Sequence, residues 1–246
     1  VIGLHTFETQ FSHGIGMGIP LAKQIGEAAK REGIRLSCHA PFFINLASKE
    51  KIKIEQSKKR ILDSCERMHY MGGGPVVFHP SYFGGMDREK VYQTTKEAIT
   101  DMIHAIKKNR WNATLSCETT GKHSALGSLD ETMRMVRETG CSMTVDFAHL
   151  YARNNGRINY SEILDRINPI LPKLGGHLHA HFSNIRYSEK GEISHLDMDK
   201  SPDFVPLAKE ILKRKLDITI ISETPSTYKD SLKMKKIFEG LGHDFS

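Results

Sequence analysis

GPVVFHP, residues 74 to 80, sets a short apolar run between a glycine and a proline and closes it on His79. A run of this length, β-branched and aromatic and bounded by turn formers, reads as a buried strand. The segments on either side have the other period. KEKIKIEQSKKRILDSCERMHYM (49–71) and DREKVYQTTKEAITDMIHAIKKN (87–109) are long, amphipathic and helical. Helix, buried strand, helix is the pattern of a sheet whose strands run parallel.

The same alternation extends outward to both ends. Further strands are expected at GLHTFETQF (3–11), GIRLSCH (33–39), ATLSCE (113–118), CSMTVDF (141–147), GHLHAHFS (176–183) and DITIISE (217–223). Between them lie helical patterns at IPLAKQIGEAAKRE (19–32), LDETMRMVRETG (129–140), near YSEILDRI (160–167), at VPLAKEILKRK (205–215) and at YKDSLKMKKIFEG (228–240). Glycines at Gly33, Gly72 to Gly74, Gly140 and Gly175-Gly176 close several of these helices, where a left-handed residue turns the chain back into a strand. Seven such units in 246 residues favour an α/β fold, a closed (β/α)₈ TIM barrel forming one domain over residues 1–246, above an open doubly wound sheet. The nucleotide-binding folds lose support because no GxGxxG follows a strand and GxxxxGK[ST] is absent. The chain begins at Val1 on the approach to a strand, so a first strand and its helix are expected to lie upstream of it or to be missing.

Apolar residues are 39% and charged residues 26% of the chain, ordinary for a globular protein. No stretch reaches the ~18 apolar residues of a membrane span, and the N-terminus lacks the layout of a signal peptide, so a soluble cytoplasmic monomer is expected. Cys38, Cys65, Cys117 and Cys141 have no CxxC spacing and read as reduced, buried thiols. A net charge of +6 fits a polyanionic partner such as nucleic acid, although solvated helix faces carry many of these charges.

In a barrel of this kind chemistry collects at the C-terminal ends of the strands. The last polar residues of successive candidate strands are His39, His79, Glu118, Asp146, His181 and Glu223, spaced by 40, 39, 28, 35 and 42 residues, about one strand-helix unit each. Any one of them alone reads as an ordinary hydrogen-bonded residue. Six in succession do not, because three carboxylates gathered on one rim repel unless cations lie between them. His149 and His195 follow in loops beyond these strand ends and are second-tier ligands. His177 and His179 share a face with His181 but lie deeper, as interior residues. Imidazole mixed with carboxylate suits Zn²⁺ first, with Mn²⁺ or Fe²⁺ in part. Paired ions ~3.5–4 Å apart are a recurring device for hydrolysing phosphate esters.

The ordered motifs CHAPFFINL, FHPSY, CETTG followed by Gly127, VDFAH, HAHFS and SETPS, spread from about Gly33 to Glu223, resemble the endonuclease IV family of apurinic/apyrimidinic (AP) endonucleases. The resemblance implies a TIM barrel with a trinuclear zinc site. His39 and His79 would hold one zinc, Glu118 would bridge it to a second held by Asp146, His181 and Glu223, and His149 and His195 would serve the third. It also implies zinc-dependent hydrolysis, with Glu118 catalytic, of the phosphodiester 5′ to an abasic site in double-stranded DNA, leaving a 3′-hydroxyl and a 5′-deoxyribose phosphate.

Two departures from that pattern, at Ile193 and at Ser12-His13-Gly14, matter beside one further match at Phe42-Phe43. Ile193-Ser194-His195 has isoleucine where the family's third zinc takes an aspartate; either Glu192, one residue off, substitutes, or water fills the position, or the ion binds weakly, and weakened occupancy is the expectation. Phe42 and Phe43 stand where the family wedges an aromatic and an apolar side chain into the DNA stack, or else are two core phenylalanines. Ser12-His13-Gly14 replaces the basic residue expected to enter the minor groove. Arg153, with Asn154 and Lys122, reads as a phosphate contact or as a solvated loop residue. The main rival is a xylose-isomerase-like sugar isomerase or epimerase using one divalent metal, which Glu118, Asp146, His181 and Glu223 also fit; His39 and His79 count against it. A barrel that binds damaged DNA or a sugar without cutting is the non-enzymatic rival.

Overall fold

The computed structural model describes residues 2–245, which divide into two compact units. The first comprises the residues up to Thr119 together with Ser124–Thr144; the second comprises Thr120–His123 and the residues from Val145 onward.

The first unit runs β1 (Thr6–Gln10), α1 (Ile19–Arg31), β2 (Arg35–His39), α2 (Lys51–Tyr70), β3 (Pro75–Phe78), β4 (Ser81–Tyr82), α3 (Arg88–Lys108), β5 (Thr114–Glu118), β6 (Ala125–Leu126), α4 (Leu129–Thr139) and the start of β7 (Ser142–Asp146). Strands β1, β2, β3, β5 and β7 pair in parallel in that order, each with the next. The short β4 and β6 form a separate antiparallel pair, Ser81 opposite Leu126. Val76, Val77 and Phe78 of β3 are wholly buried, as the apolar run at its centre requires. Helix α3 turns Val91, Ile99, Met102 and Ile106 inward, a spacing that draws one apolar stripe along the helix. Each such side chain contributes roughly 1.5–3 kcal/mol on burial.

The ends of these helices are written in the sequence. Asp87 accepts a hydrogen bond from Lys90 N at 2.9 Å and starts α3. Ser128 and Glu131 form a reciprocal capping box at the start of α4, which Gly140 closes in the left-handed conformation at φ 75°. Because α4 is pinned at both ends, β7 begins at a fixed point and delivers Asp146 to the end of its strand.

The second unit continues with α5 (Phe147–Arg153), α6 (Tyr160–Ile167), a 3₁₀ turn (Asn168–Leu174), β8 (Leu178–Phe182), β9 (Asn184–Ser188), β10 (Gly191–Leu196), α7 (Phe204–Arg214), β11 (Ile218–Ser222) and α8 (Tyr228–Gly240). β8 and β11 pair in parallel, Leu178 opposite Ile218 and Phe182 opposite Ser222. Phe182, Phe204 and Phe238 stack edge to face, with centroids 4.8 and 5.6 Å apart, and tie β8 to α7 and α8. β9 and β10 form an antiparallel ribbon against α5, where Ala148, Ala152 and Ile185 are buried together.

The seven strands and seven helices expected from the pattern are all present, to within a few residues at their ends. Among the described residues, four elements were not expected: the ribbon, the helix α5, the small β4–β6 pair and the 3₁₀ turn. Among the described residues, no helix is long and apolar enough to cross a membrane.

Candidate metal centre

In the first unit, three neighbouring strands bring three donors together. His39 closes β2, Glu118 closes β5, and His79 follows β3 by one residue. The register puts Phe78 opposite Cys117, so His79 comes level with Glu118. Glu118 is fully buried, and its Oε2 lies 3.1 Å from His39 Nε2 and 2.9 Å from His79 Nε2. The two imidazoles meet edge to face at 5.6 Å.

The other ring nitrogen of His39 fixes what Nε2 can do. His39 Nδ1 lies 2.8 Å from the Ala40 carbonyl oxygen, which only accepts, so Nδ1 carries the ring proton. A neutral His39 therefore presents a lone pair on Nε2 to a carboxylate oxygen. Two lone pairs at this distance repel, and the arrangement is stable only with a proton or a metal cation between them. Tetrahedral zinc, with bonds of ~2.0–2.1 Å, separates its donor atoms by roughly 3.4 Å, close to what is seen. A backbone carbonyl on the far nitrogen is the usual way a ligating imidazole is oriented.

In the second unit, Asp146 ends β7 and caps α5, its Oδ1 accepting from His149 N at 2.6 Å. That cap starts a helix immediately after the strand, and its first turn carries His149 back so that Nδ1 stands 3.6 Å from Asp146 Oδ2. Glu223 follows β11 by one residue, its N donating to the Phe182 carbonyl at 3.1 Å. One carboxylate oxygen of Glu223 lies 3.3 Å from His181 Nδ1 and the other 3.9 Å from His195 Nε2. His195 Nδ1 bonds Ser183 Oγ at 2.7 Å. Asp146, His149, His195 and Glu223 each offer a donor atom, all within 4.8 Å of one another. Asp146, His149 and His181 are essentially inaccessible to solvent. Two carboxylates this close, one fully buried and the other largely so, repel strongly, and a divalent cation relieves this directly. The donors of both groups thus fit borderline divalent metals.

Two of the sequence expectations change in kind. His149 lies on helix α5 and His195 on strand β10; neither is in a loop. Asp146 as an N-cap makes the first, and the pairing of NIRYS with GEISHL makes the second. Arg153 is buried: its Nη1 donates to Thr120 O and Oγ1 at 3.2 Å and to Lys122 O at 2.7 Å, tying down the loop after β5. Phe42 and Phe43 are 52% and 77% exposed, and Phe43 holds a left-handed φ of 65°. His177 is engaged by Asp217 at 2.8 Å and Thr219 at 2.9 Å, while His179 is buried with its ring 5.6 Å from that of His181. Glu192, one residue off the aspartate position in the sequence, stands beside the second group. Glu192 places Oε2 3.4 Å from His149 Nε2. It does so beneath Gly121, where a Cβ would sit 2.6 Å from that of Glu192 and 3.2 Å from His149 Cδ2.

A family model described as xylose isomerase-like TIM barrel matches residues 2–240. An uncharacterized protein of Methanocaldococcus jannaschii is 31% identical over 98% of this chain and 89% of its own length. A protein of Mycoplasma genitalium named probable endonuclease 4 is 27% identical over 78% of this chain and 67% of its own. Among solved structures, endonuclease IV from Thermus thermophilus superposes with a TM-score of 0.71 at 18% identity, covering 97% of this chain and 89% of that one. A D-tagatose 3-epimerase-like protein superposes with a TM-score of 0.72 at 18% identity, covering 97% and 88%. The fold is thereby the (β/α)₈ TIM barrel. These likenesses of fold are equally strong for a nuclease and for a sugar epimerase.

Proposed function

Since the chain belongs to the xylose isomerase-like TIM barrel family, we propose that it is a zinc-dependent AP endonuclease of base excision repair, cutting double-stranded DNA on the 5′ side of an abasic site to leave a 3′-hydroxyl and a 5′-deoxyribose phosphate. The observation that carries this reading is the triad of His39, His79 and Glu118, two imidazoles converging on one buried carboxylate oxygen. A sugar isomerase that works through Glu118, Asp146, His181 and Glu223 has no need of it. The relative named probable endonuclease 4 supports the same choice, as does the net charge of +6.

When bound, zinc supplies Lewis acidity for activating water and neutralising the scissile phosphate. The residues of the chain do the rest. His39, His79 and Glu118 hold one ion, and Asp146, His149, His181, His195 and Glu223 hold the remainder. Exclusion of water around Glu118 and Asp146 keeps their charges unscreened and directed at the bound cations. Phe42 and Phe43, exposed side by side, enter the stack at the damaged step, where unstacking is cheapest. The left-handed backbone of Phe43 costs about 1–3 kcal/mol, a strain that native structures keep where function requires it.

The test is a 5′-labelled duplex carrying one abasic site, incubated with protein whose zinc content has been measured. A single nick on the 5′ side of the lesion, with an end that a polymerase extends, is expected. Zinc-loaded protein that leaves this duplex intact but epimerises ketohexoses moves the site to the sugar reading, which the epimerase-like neighbour favours.

A further inference from the structure

We propose that Glu192 is a metal ligand, completing with His149 and His195 a site for a zinc-class divalent cation that the sequence motif alone does not provide. The inference rests on the metal-dependent reading above and adds a ligand to it.

Along a regular strand, residues three apart face opposite sides, so Glu192 and His195 on β10 ought to point away from each other. The ribbon contains a register shift between Glu192 and Ser194: Glu192 pairs with Tyr187, while Ser194 pairs with the very next residue of β9, Arg186. Ile193 is the extra residue, and its side chain is half exposed. A bulge absorbs one residue without advancing the ladder, so residues on either side of it keep to the alternation as though it were missing. Glu192 and His195 then behave as positions two apart and share a face.

That face is turned toward His149. The Glu192 carboxylate stands 3.4 Å from His149 Nε2, and the His149 and His195 rings lie 5.3 Å apart. Two further contacts aim it. Gly121 N donates to Glu192 Oε2 at 3.2 Å, and the missing side chain of Gly121 leaves the space the carboxylate fills. The half-exposed Lys122 ammonium lies 3.8 Å from Glu192 Oε1, on the other oxygen from the one that faces the imidazole. A carboxylate held by a backbone amide and pointed at a buried histidine is the donor type this site needs.

The test measures zinc per chain by elemental analysis after equilibration at fixed free zinc, for wild type, Glu192→Gln, His195→Gln and the double variant. Glutamine keeps an oxygen for Gly121 N–H, so the loop remains anchored while the charge is lost. Glu192→Gln is expected to weaken one ion by at least about 10- to 100-fold and to lower the bound zinc by one equivalent. His195→Gln is expected to lose the same ion, and the double variant no more than either single change. The d–d spectrum of cobalt-substituted protein reports the same change of ligand independently of activity. Wild-type zinc content in Glu192→Gln, beside a loss in His195→Gln, overturns the role of Glu192 and leaves the rest of the centre standing. A wild-type protein that takes up no zinc overturns the metal reading and this proposal with it.

Discussion

Glu118→Gln removes the charge on which the first group depends, and its effect can be worked through in advance. Oε2 of Glu118 is the common neighbour of His39 and His79, at 3.1 and 2.9 Å, and the residue is wholly buried. A ligand bound only by the folded state stabilises it by RT ln(1 + [L]/Kd), about 4.1 kcal/mol at a thousand times Kd. For a chain of this size each kcal/mol moves Tm by about 2 °C, so saturating zinc raises the wild-type Tm by about 8 °C. Glutamine has the shape but neither the charge nor the Lewis basicity of the carboxylate. A hundredfold loss of affinity, the upper end of what even supporting residues cost, leaves zinc at ten times Kd. The remaining stabilisation is about 1.4 kcal/mol, or roughly 3 °C. The assay is thermal unfolding of both proteins over a series of buffered free-zinc concentrations. A zinc-induced shift in Glu118→Gln equal to that of the wild type refutes the assignment, because the oxygen shared by both histidines would then not be binding the ion.

Three further outcomes are expected. Arg153→Ala leaves the carbonyls of Thr120 and Lys122 without their buried donor and costs about 2–3 kcal/mol, seen as a Tm lower by about 4–6 °C; a lost phosphate contact would instead reduce the salt dependence of DNA binding, which is expected to stay unchanged. Phe42→Ala with Phe43→Ala weakens binding to an abasic duplex by about 1–3 kcal/mol per lost stack, with zinc content unaltered, and unchanged DNA affinity would remove these rings from the interface. Burial opposes ionisation of Glu131, but hydrogen bonds from Ser128, Gly127 and Arg88 outweigh it and hold its carboxyl below the usual range. Its charge therefore stabilises the fold above the ordinary carboxylate pKa, and the benefit is lost as pH falls through the lowered value. Denaturant titrations of Glu131→Gln are expected to show a deficit at neutral pH that closes in acid.

The strand ends were legible because each donor is the last residue of an apolar run. Val76 to Phe78 and Leu115 to Cys117 are the buried stretches of their strands, and His79 and Glu118 are the ionisable residues that follow them directly. The caps were legible as well, since Ser128, Glu131 and Gly140 act over three to five residues. Helix α5 was not, because seven residues hold too little period to register, and what starts it is the capping carboxylate of Asp146, a residue already read as a ligand. The exposure of Phe42 and Phe43 was also open, since nothing in FFINL distinguishes a wedge from a core pair.

By itself, then, the sequence determined the alternation of strand and helix, the parallel pairing that follows from it, and which side chains stand at the strand ends. These are local consequences of period, capping and composition. Only the tertiary structure decided that Arg153 turns inward to hold a loop, and that a bulge at Ile193 brings Glu192 onto the face of His195 and up to His149. A bulge is set by the pairing of two strands and by the room that a distant glycine leaves, so its effect on which way a side chain points is absent from any single stretch of the chain.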